Sequence, residues 1–260
     1  MERPSTGHIV RGILLLTAIM TAIGVALGIL LPNHIMPRQM SADSHAAVMT
    51  VIVFSVAAAP VAALVYAVGL YSLLRWRHKG AEQPTVDGAP IRGNNAVTTT
   101  WLIVSTVLVI FVLGWGLTFL SSAATSHADP LEVNVIGQQW AWSFQYPGTG
   151  VESSKLVLPV NREVHFHVSS KDVTHGFWPQ ELGIQIDANA LQSSSISTTP
   201  DKLGSFSVRC SQLCGLYHAY MQTKGEVVSQ KNFAAWLQAN GASASSASRV
   251  AVVAQGRAHS

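Results

Sequence analysis

Three long runs without a charged residue dominate the first half of the chain. They cover residues 13–31, 46–74 and 96–126. A helix rises about 1.5 Å per residue, so roughly 20 apolar residues cross a hydrocarbon core about 30 Å thick. The pattern therefore predicts a transmembrane helical hairpin in residues 46–126. It also predicts an apolar helix in residues 1–45, which is either a retained membrane span or a signal peptide.

Basic residues between the second and third runs predict the orientation of these helices. The segment 75–96 carries four of them, whereas the short segment before the second run carries only Arg38. The four are Arg75, Arg77, Lys79 and Arg92. The positive-inside rule places this segment in the cytoplasm as a loop. Everything after residue 126 is then expected on the extracytoplasmic side of the cell membrane.

The second half of the chain has a different pattern, in which short stretches alternate with period two between Gly, Pro, Asn or Asp residues. Such stretches are typical of half-buried β-strands. The predicted strands cover residues 131–136, 156–160, 163–168, 184–186, 205–210 and 224–228, with a closing helix at 233–237. Regularly spaced short strands indicate a β-sandwich or Greek-key barrel in residues 127–240. Residues 241–260 are rich in Ala, Ser and Gly and are expected to form a disordered tail.

The composition excludes several classes of protein. Charged residues make up only 11% of the chain, against about 25% in an ordinary soluble domain. The chain is therefore neither wholly soluble nor intrinsically disordered. Its formal net charge is only +3, so nucleic-acid binding is not indicated. Two cysteines are too few for a disulfide-dense scaffold.

One short segment is much richer in metal-binding groups than the rest. Within twelve residues it contains Cys210, Cys214, His218 and Met221. Thiolate, thioether and imidazole together favour copper over zinc, because zinc makes little use of a thioether. Two alternatives remain open at this point: a disulfide between the cysteines, and a zinc site completed by a distant histidine. An iron–sulfur cluster would need two further cysteines or two histidines.

A second histidine ligand must come from elsewhere in the exported half. His165 and His167 share one face of a predicted strand and are interpreted as ordinary sheet residues. His175 precedes Gly-Phe-Trp-Pro in a segment predicted to be a loop, where a ligand has room. A blue-copper site uses a single cysteine, whereas two cysteines bridging two copper ions would both be used. Each copper would then have one histidine and one weak axial donor.

The spacing of this segment resembles that of a known family. The chain reads C-S-Q-L-C-G-L-Y-H-A-Y-M from Cys210 to Met221. It is similar to the C-S-E-x-C-G-x-x-H-x-x-M motif in subunit II of the haem–copper cytochrome c oxidases, with Gln212 in place of Glu. His175 stands 35 residues before the first cysteine, as the upstream ligand does in that family.

The resemblance implies an exported cupredoxin domain of the Greek-key type that holds a binuclear copper (CuA) centre. Both cysteines would bridge the two copper ions, each histidine would bind one of them, and two weak donors would be axial. The implied ligands are the side chains of His175, Cys210, Cys214, His218 and Met221, and the backbone oxygen of Gln212. The family's glutamate carboxylate also helps to hold magnesium at the border with subunit I. A neutral Gln212 makes that magnesium site doubtful here.

A second motif, Trp140-Ala-Trp142-Ser-Phe144-Gln-Tyr146, also matches the family. Strand alternation predicts that its four aromatic rings share one face of a strand. Core packing is the expected role of the last three. In the family the first tryptophan of this W-x-W strand is the point where electrons enter from cytochrome c, which implies that role for Trp140. Asp172 occupies an acidic position near the family's docking face, or is an ordinary loop residue.

The resemblance implies a function in an oxidoreductase and translocase complex. The chain would accept electrons from soluble or membrane-bound cytochrome c and pass them to haem in subunit I, where oxygen reduction is coupled to proton pumping. Subunit I, subunit III and the lipid bilayer are the implied partners, and nucleic acid is not. Two alternatives are a copper-free subunit II of a quinol oxidase, which would lack the ligands, and a membrane-anchored copper carrier, which would not need the full spacing or the W-x-W strand.

Overall fold

The structure, a computed structural model, describes residues 6–75, 93–123 and 129–247. Most of the predicted cytoplasmic loop and residues 248–260 of the predicted tail lie outside the described residues. The chain divides into two compact units. The first comprises Met1–Ile35 and Met49–Thr125, and the second comprises Met36–Val48 and Ser126–Ser260.

The helices of the N-terminal half have the length and composition of membrane spans. Their bounds are α1 Thr6–Leu30, α2 Pro32–Ile35, α3 Ala42–Arg75 and α4 Asn95–Ala123. Within the described residues α1, α3 and α4 are long and apolar enough to cross a bilayer. Their large apolar side chains are mostly exposed, as expected of surfaces that face lipid. The prediction of apolar membrane helices is confirmed.

Small residues bring α1 and α3 close together in the first unit. A Cβ atom at Gly24 would lie 3.1 Å from the Cβ of Ala59, and one at Gly28 would lie 3.0 Å from the Cβ of Ser55. This Gly-x-x-x-Gly spacing is a common way for membrane helices to pack backbone against backbone. The indole N–H of Trp115 on α4 donates to Thr50 Oγ1 at 3.2 Å, which adds a polar contact between α4 and α3.

The described part of the second unit contains ten strands and a closing helix. They are β1 Leu131–Gln138, β2 Ala141–Tyr146, β3 Val151–Ser153, β4 Leu156–Pro159, β5 Val164–Ser170, β6 His175–Pro179, β7 Ile186–Ala188, β8 Ser194–Thr198, β9 Gly204–Cys210, β10 Gln222–Val228 and α5 Gln230–Ala239. The first sheet has the order β3-β2-β1-β5-β8, and the second has the order β4-β10-β9-β6-β7. The β1–β5 and β4–β10 pairs are parallel and the other pairs are antiparallel.

Aromatic side chains from both sheets form the centre of the core. Phe177 of the second sheet lies 5.3 Å from Phe166 and 5.7 Å from Trp142 of the first sheet, measured between ring centroids. The alternating burial of β1 and β5 places every second side chain inside. Ser229 caps the N-terminus of α5, because its hydroxyl accepts a hydrogen bond from the N–H of Asn232. These two packed sheets confirm the predicted β-sandwich.

Residues 36–48, which include the first turns of α3, belong to the same compact unit as the β-domain. Met40 is completely buried among its core side chains. The backbone N–H of Met40 donates to the Glu181 carbonyl, and its carbonyl accepts from the N–H of Asp201, both at 2.9 Å. The Ser41 hydroxyl donates to the Leu182 carbonyl at 2.7 Å. The sequence pattern did not predict this grouping.

The strand predictions were right where side chains alternate and incomplete elsewhere. Each of the six predicted strands overlaps an observed one, although the segment predicted at 184–186 enters β7 only at its last residue. The structure adds β3, β6 and β8. The prediction of a disordered tail from Gly241 is wrong for residues 241–247, where Ala242 and Ala247 are buried.

Candidate metal centre

Two neighbouring strands of the second sheet carry the first two donor residues. His175 is the first residue of β6, and Cys210 is the last residue of β9, which pairs with β6 in antiparallel fashion. The prediction that His175 lies in a loop is therefore wrong. The chain leaves β9 at Cys210 and returns to β10 after Met221. A hydrogen bond of 3.0 Å from the Cys210 N–H to the Met221 carbonyl closes this loop at its base. The remaining donors lie on this segment, which we call the 210–221 loop.

The loop brings the predicted donor atoms into one cluster. The two cysteine Sγ atoms are 3.7 Å apart. The Nδ1 atom of His175 lies 3.9 Å from Cys210 Sγ, and that of His218 lies 3.6 Å from Cys214 Sγ. Met221 Sδ lies 3.7 Å from Cys214 Sγ.

The backbone carbonyl group of Gln212 completes the cluster. Its carbonyl oxygen lies 3.1 Å from Cys210 Sγ, while the residue as a whole is exposed. The oxygen is therefore placed as a donor that does not depend on the identity of the side chain. His165 and His167, by contrast, lie on β5 of the first sheet and take no part in this cluster.

The two cysteines are free thiols rather than a disulfide. Their sulfur atoms are separated by 3.7 Å, whereas a disulfide requires about 2.05 Å. Burial, followed by a hydrogen bond with Cys210 and the charge of Cys210, raises the pKa of the Cys214 thiol to about 12. Two thiolates side by side in this site are thus unfavourable unless a cation neutralises them.

The donor set fits copper. Two sulfur atoms 3.7 Å apart can both reach one metal ion at about 2.3 Å. His175, Cys210 and Cys214 are all buried, and their ligand atoms lie within 4.8 Å of one another. The thioether of Met221 is also buried against this group. Thiolate, thioether and imidazole donors together favour a soft ion such as copper over zinc.

A carboxylate orients the buried histidine. The Nε2 atom of His175 lies 2.8 Å from Asp172 Oδ1, which turns Nδ1 toward Cys210. Partial burial opposes ionisation of Asp172, but hydrogen bonds from the Gln139 N–H, His175 and the Val173 N–H outweigh it and lower its pKa to about 2. An ionised carboxylate behind a histidine ligand fixes the ring and increases its basicity. The sequence analysis did not predict that Asp172 would orient His175. The available signal was that Asp172 stands three residues before His175.

Trp140 contacts the cluster through the backbone of Cys214. Its indole N–H donates to the Cys214 carbonyl at 3.2 Å, and the Gln139 side-chain amide donates to the same oxygen at 2.8 Å.

Trp140 lies in the turn before β2, so the prediction that it shares a strand face with the other three aromatics is wrong. Those three, Trp142, Phe144 and Tyr146, are buried in the core as predicted. Turn geometry leaves Trp140 half-buried, with its ring edge-on to Tyr217 at 4.7 Å.

Comparisons with known proteins agree with the sequence motif. The family model described as cytochrome c oxidase subunit II, periplasmic domain, matches residues 150–228. Cytochrome c oxidase subunit 2 of Bacillus subtilis (strain 168) is 30% identical over 182 residues, which cover 64% of this chain and 51% of that protein. The Synechocystis protein of the same name is 26% identical over 275 residues, covering 87% of this chain and 81% of that protein.

Among solved structures, the chain is similar to the periplasmic domain of subunit II of cytochrome oxidase (CoxB) of Bradyrhizobium japonicum. The two are 31% identical, with a TM-score of 0.42, and the match covers 44% of this chain and 95% of that one. The chain spans about half the length of the Bacillus subtilis relative. The motif from Cys210 to Met221, the family-model match over residues 150–228 and these relatives all show that the chain is similar to cytochrome c oxidase subunit II.

Proposed function

We propose that this chain accepts electrons from cytochrome c through a binuclear copper centre and delivers them to haem in subunit I of a cytochrome c oxidase. Oxygen reduction and proton pumping would take place in the partner subunits of that complex. The observation that carries the proposal is the convergence of two free thiols on two imidazoles, a thioether and a carbonyl oxygen. Bound copper would supply one-electron redox chemistry.

The distances divide the donors into two sets, one around each sulfur. His175 Nδ1 and the Gln212 carbonyl lie 3.9 and 3.1 Å from Cys210 Sγ. The second set consists of His218 Nδ1 and Met221 Sδ, at 3.6 and 3.7 Å from Cys214 Sγ. Each set has one imidazole and one weak donor. This division supports two metal positions that share the thiolates, because a single ion would leave one set unused.

Hydrogen bonds within the chain hold these donors in place. Asp172 fixes the ring of His175, and the Gln139 and Trp140 side chains both fix the carbonyl of Cys214. The backbone bond from Cys210 to Met221 closes the loop. A pocket held this way changes little in geometry when one electron is added or removed, which favours rapid electron transfer.

Trp140 supports the route by which electrons would arrive. Its half-buried ring joins the protein surface to the Cys214 backbone through one hydrogen bond of 3.2 Å. We propose that the donor cytochrome docks over this ring. The apolar helices would anchor the chain in the bilayer, and the basic segment 75–96 supports an extracytoplasmic position for the copper domain.

Copper counting tests the proposal. The full-length chain, purified in detergent and loaded with copper, is expected to bind two copper ions and to give a mixed-valence electron paramagnetic resonance spectrum. Metal analysis of the same sample supplies the stoichiometry. One copper per chain with a four-line blue-copper spectrum would contradict the binuclear proposal. Failure to retain copper would favour a copper-free structural role.

Replacing Trp140 with phenylalanine tests the proposed route. The variant keeps an aromatic ring but loses the hydrogen bond to the Cys214 carbonyl. We expect electron transfer from reduced cytochrome c to slow by at least about tenfold, equivalent to about 1.4 kcal/mol of barrier, while the copper spectrum stays unchanged. Stopped-flow kinetics of the assembled oxidase gives the rate.

Tyr217→Phe is the matched control for this variant. The Tyr217 ring lies edge-on to Trp140. A phenylalanine at this position would keep the ring contact and lose only the hydroxyl. Its transfer rate should equal that of the wild type. Equal rates in the Trp140 variant and the wild type would remove Trp140 from the route.

A further inference from the structure

A second group of metal-binding side chains lies on the outer face of the first sheet. Glu132 on β1 and His165 and His167 on β5 have ligand atoms that all lie within 4.8 Å of one another. All three residues are half-buried. They belong to a different sheet from the 210–221 loop and share no residue with the copper donors. The proposed function does not use them.

Strand geometry places these three side chains together. In both β1 and β5 the buried residues alternate with half-buried ones, so His165 and His167 lie on the same outer face. The two strands are parallel, and Glu132 is directly opposite His165. The Nε2 atom of His167 lies 2.7 Å from Glu132 Oε2, and the two imidazole rings are 4.8 Å apart between centroids. The cluster thus follows from the register of the sheet.

The neighbouring strand β8 supplies a hydrogen-bond partner to each imidazole. His165 Nδ1 lies 2.8 Å from the Ser197 hydroxyl, and His167 Nδ1 lies 3.3 Å from the Ser195 hydroxyl. Histidines that bind metal usually use their second ring nitrogen in this way, which fixes the ring and leaves the other nitrogen for the ion. The two serines are paired in register with the two histidines. These two hydrogen bonds are a second observation, separate from the proximity of the three ligand residues, that points to a metal site.

We propose that Glu132, His165 and His167 bind a divalent transition-metal ion of the zinc type. Two imidazoles and a carboxylate form a His₂Glu set, which zinc accepts with a fourth position left to water. Tetrahedral ligands at about 2.0–2.1 Å from zinc lie roughly 3.4 Å apart, so the donors need to approach by about 1 Å. His167 and Glu132 side chains are 42% and 43% exposed, which gives them freedom for that adjustment. The absence of sulfur distinguishes this site from the copper centre.

Zinc titration of the full-length, copper-loaded chain tests the proposal, with Zn²⁺ alone as the probe. Isothermal titration calorimetry should show one Zn²⁺ bound per chain. Loss of a hydrogen-bond partner of a metal ligand already lowers metal affinity about 10- to 100-fold. Because His165→Gln and His167→Gln remove a ligand itself, each should weaken zinc binding at least tenfold. Co²⁺ substitution should give a visible absorption spectrum typical of four-coordinate nitrogen and oxygen ligation.

The matched control is His45→Gln. His45 lies 3.4 Å from the Asp201 carboxylate and is similarly exposed, but the cluster of three ligands does not include it. Its variant should bind zinc as the wild type does. Repeating the titration in a Cys210→Ser, Cys214→Ser background makes the result independent of copper loading. Absence of zinc binding in the wild type, or equal binding in the His165 and His167 variants, would overturn the proposal.

Discussion

Replacing Cys214 with serine is expected to eliminate the two-copper centre. The sulfur of Cys214 is the neighbour of three other donors, lying within 3.7 Å of Cys210 Sγ, His218 Nδ1 and Met221 Sδ. A hydroxyl at this position is a hard donor that does not bridge soft copper ions. Bound copper should fall from two ions to at most one per chain, and the mixed-valence spectrum should disappear. Metal analysis and electron paramagnetic resonance of the full-length variant measure both quantities.

The fold should survive this change. Serine is close to cysteine in size, and burying its hydroxyl without a partner costs about 1–3 kcal/mol. Circular dichroism should therefore show a β-domain with a lowered unfolding temperature. Retention of two copper ions and the mixed-valence spectrum in this variant would mean that Cys214 does not bridge. Loss of the β-sheet signal would make the spectrum uninformative, and Met221→Leu, which removes only the weak donor, then tests the same centre by a shifted spectrum.

Replacing Gly176 with alanine is expected to have the second largest effect, through the backbone. A Cβ atom there would overlap Ser211 Oγ and lie 2.9 Å from the backbone nitrogen of Gln212 and 3.1 Å from the Ser211 carbonyl carbon. The Gly176 carbonyl also accepts the Ser211 N–H at 3.0 Å. The added methyl therefore forces the 210–221 loop away from β6, because backbone atoms cannot rotate out of its way.

The expected cost is about 1–3 kcal/mol of stability, typical of overpacking in a dense interior. Copper binding should weaken as well, because His175 on β6 and the cysteines would move apart. Thermal unfolding and copper titration of the full chain measure these effects. Ser211→Ala is the control. Its buried hydroxyl has no hydrogen-bond partner among the residues that the structure describes, so its removal should leave stability and copper binding intact. A Gly176→Ala variant with normal copper affinity would show that the loop adjusts freely.

The clustering of the candidate donor residues could be predicted from the sequence because most of them are close together along the chain. Cys210, Cys214, His218 and Met221 lie within twelve residues, and the chemistry of the ion restricts their types. The long apolar helices could be predicted for a similar reason, since each is defined by its own composition. Predicting either feature requires no knowledge of tertiary contacts.

Features that depend on tertiary contacts could not be predicted in this way. The strand β6 contains Gly176 and Pro179, which are poor strand formers, and it exists because β7 and β9 flank it. The strand β8 is rich in serine and lacks a strong apolar alternation, since it lies at the edge of its sheet. The role of Asp172 as the partner of His175 depends on the turn of the chain between these two residues, which the residue types alone do not specify.

Met40 is an interior residue of the β-domain, so a fragment of the chain that lacks it is missing part of that domain's core. Its side chain fills a space inside the β-sandwich, and its backbone satisfies the Glu181 carbonyl and the Asp201 N–H. A water-soluble fragment begun at Asp129 would keep every copper donor but remove this methionine, at a cost of about 2–5 kcal/mol for the cavity alone. The β-domain is thus discontinuous in sequence, and one of its interior residues, Met40, is encoded upstream of the membrane hairpin.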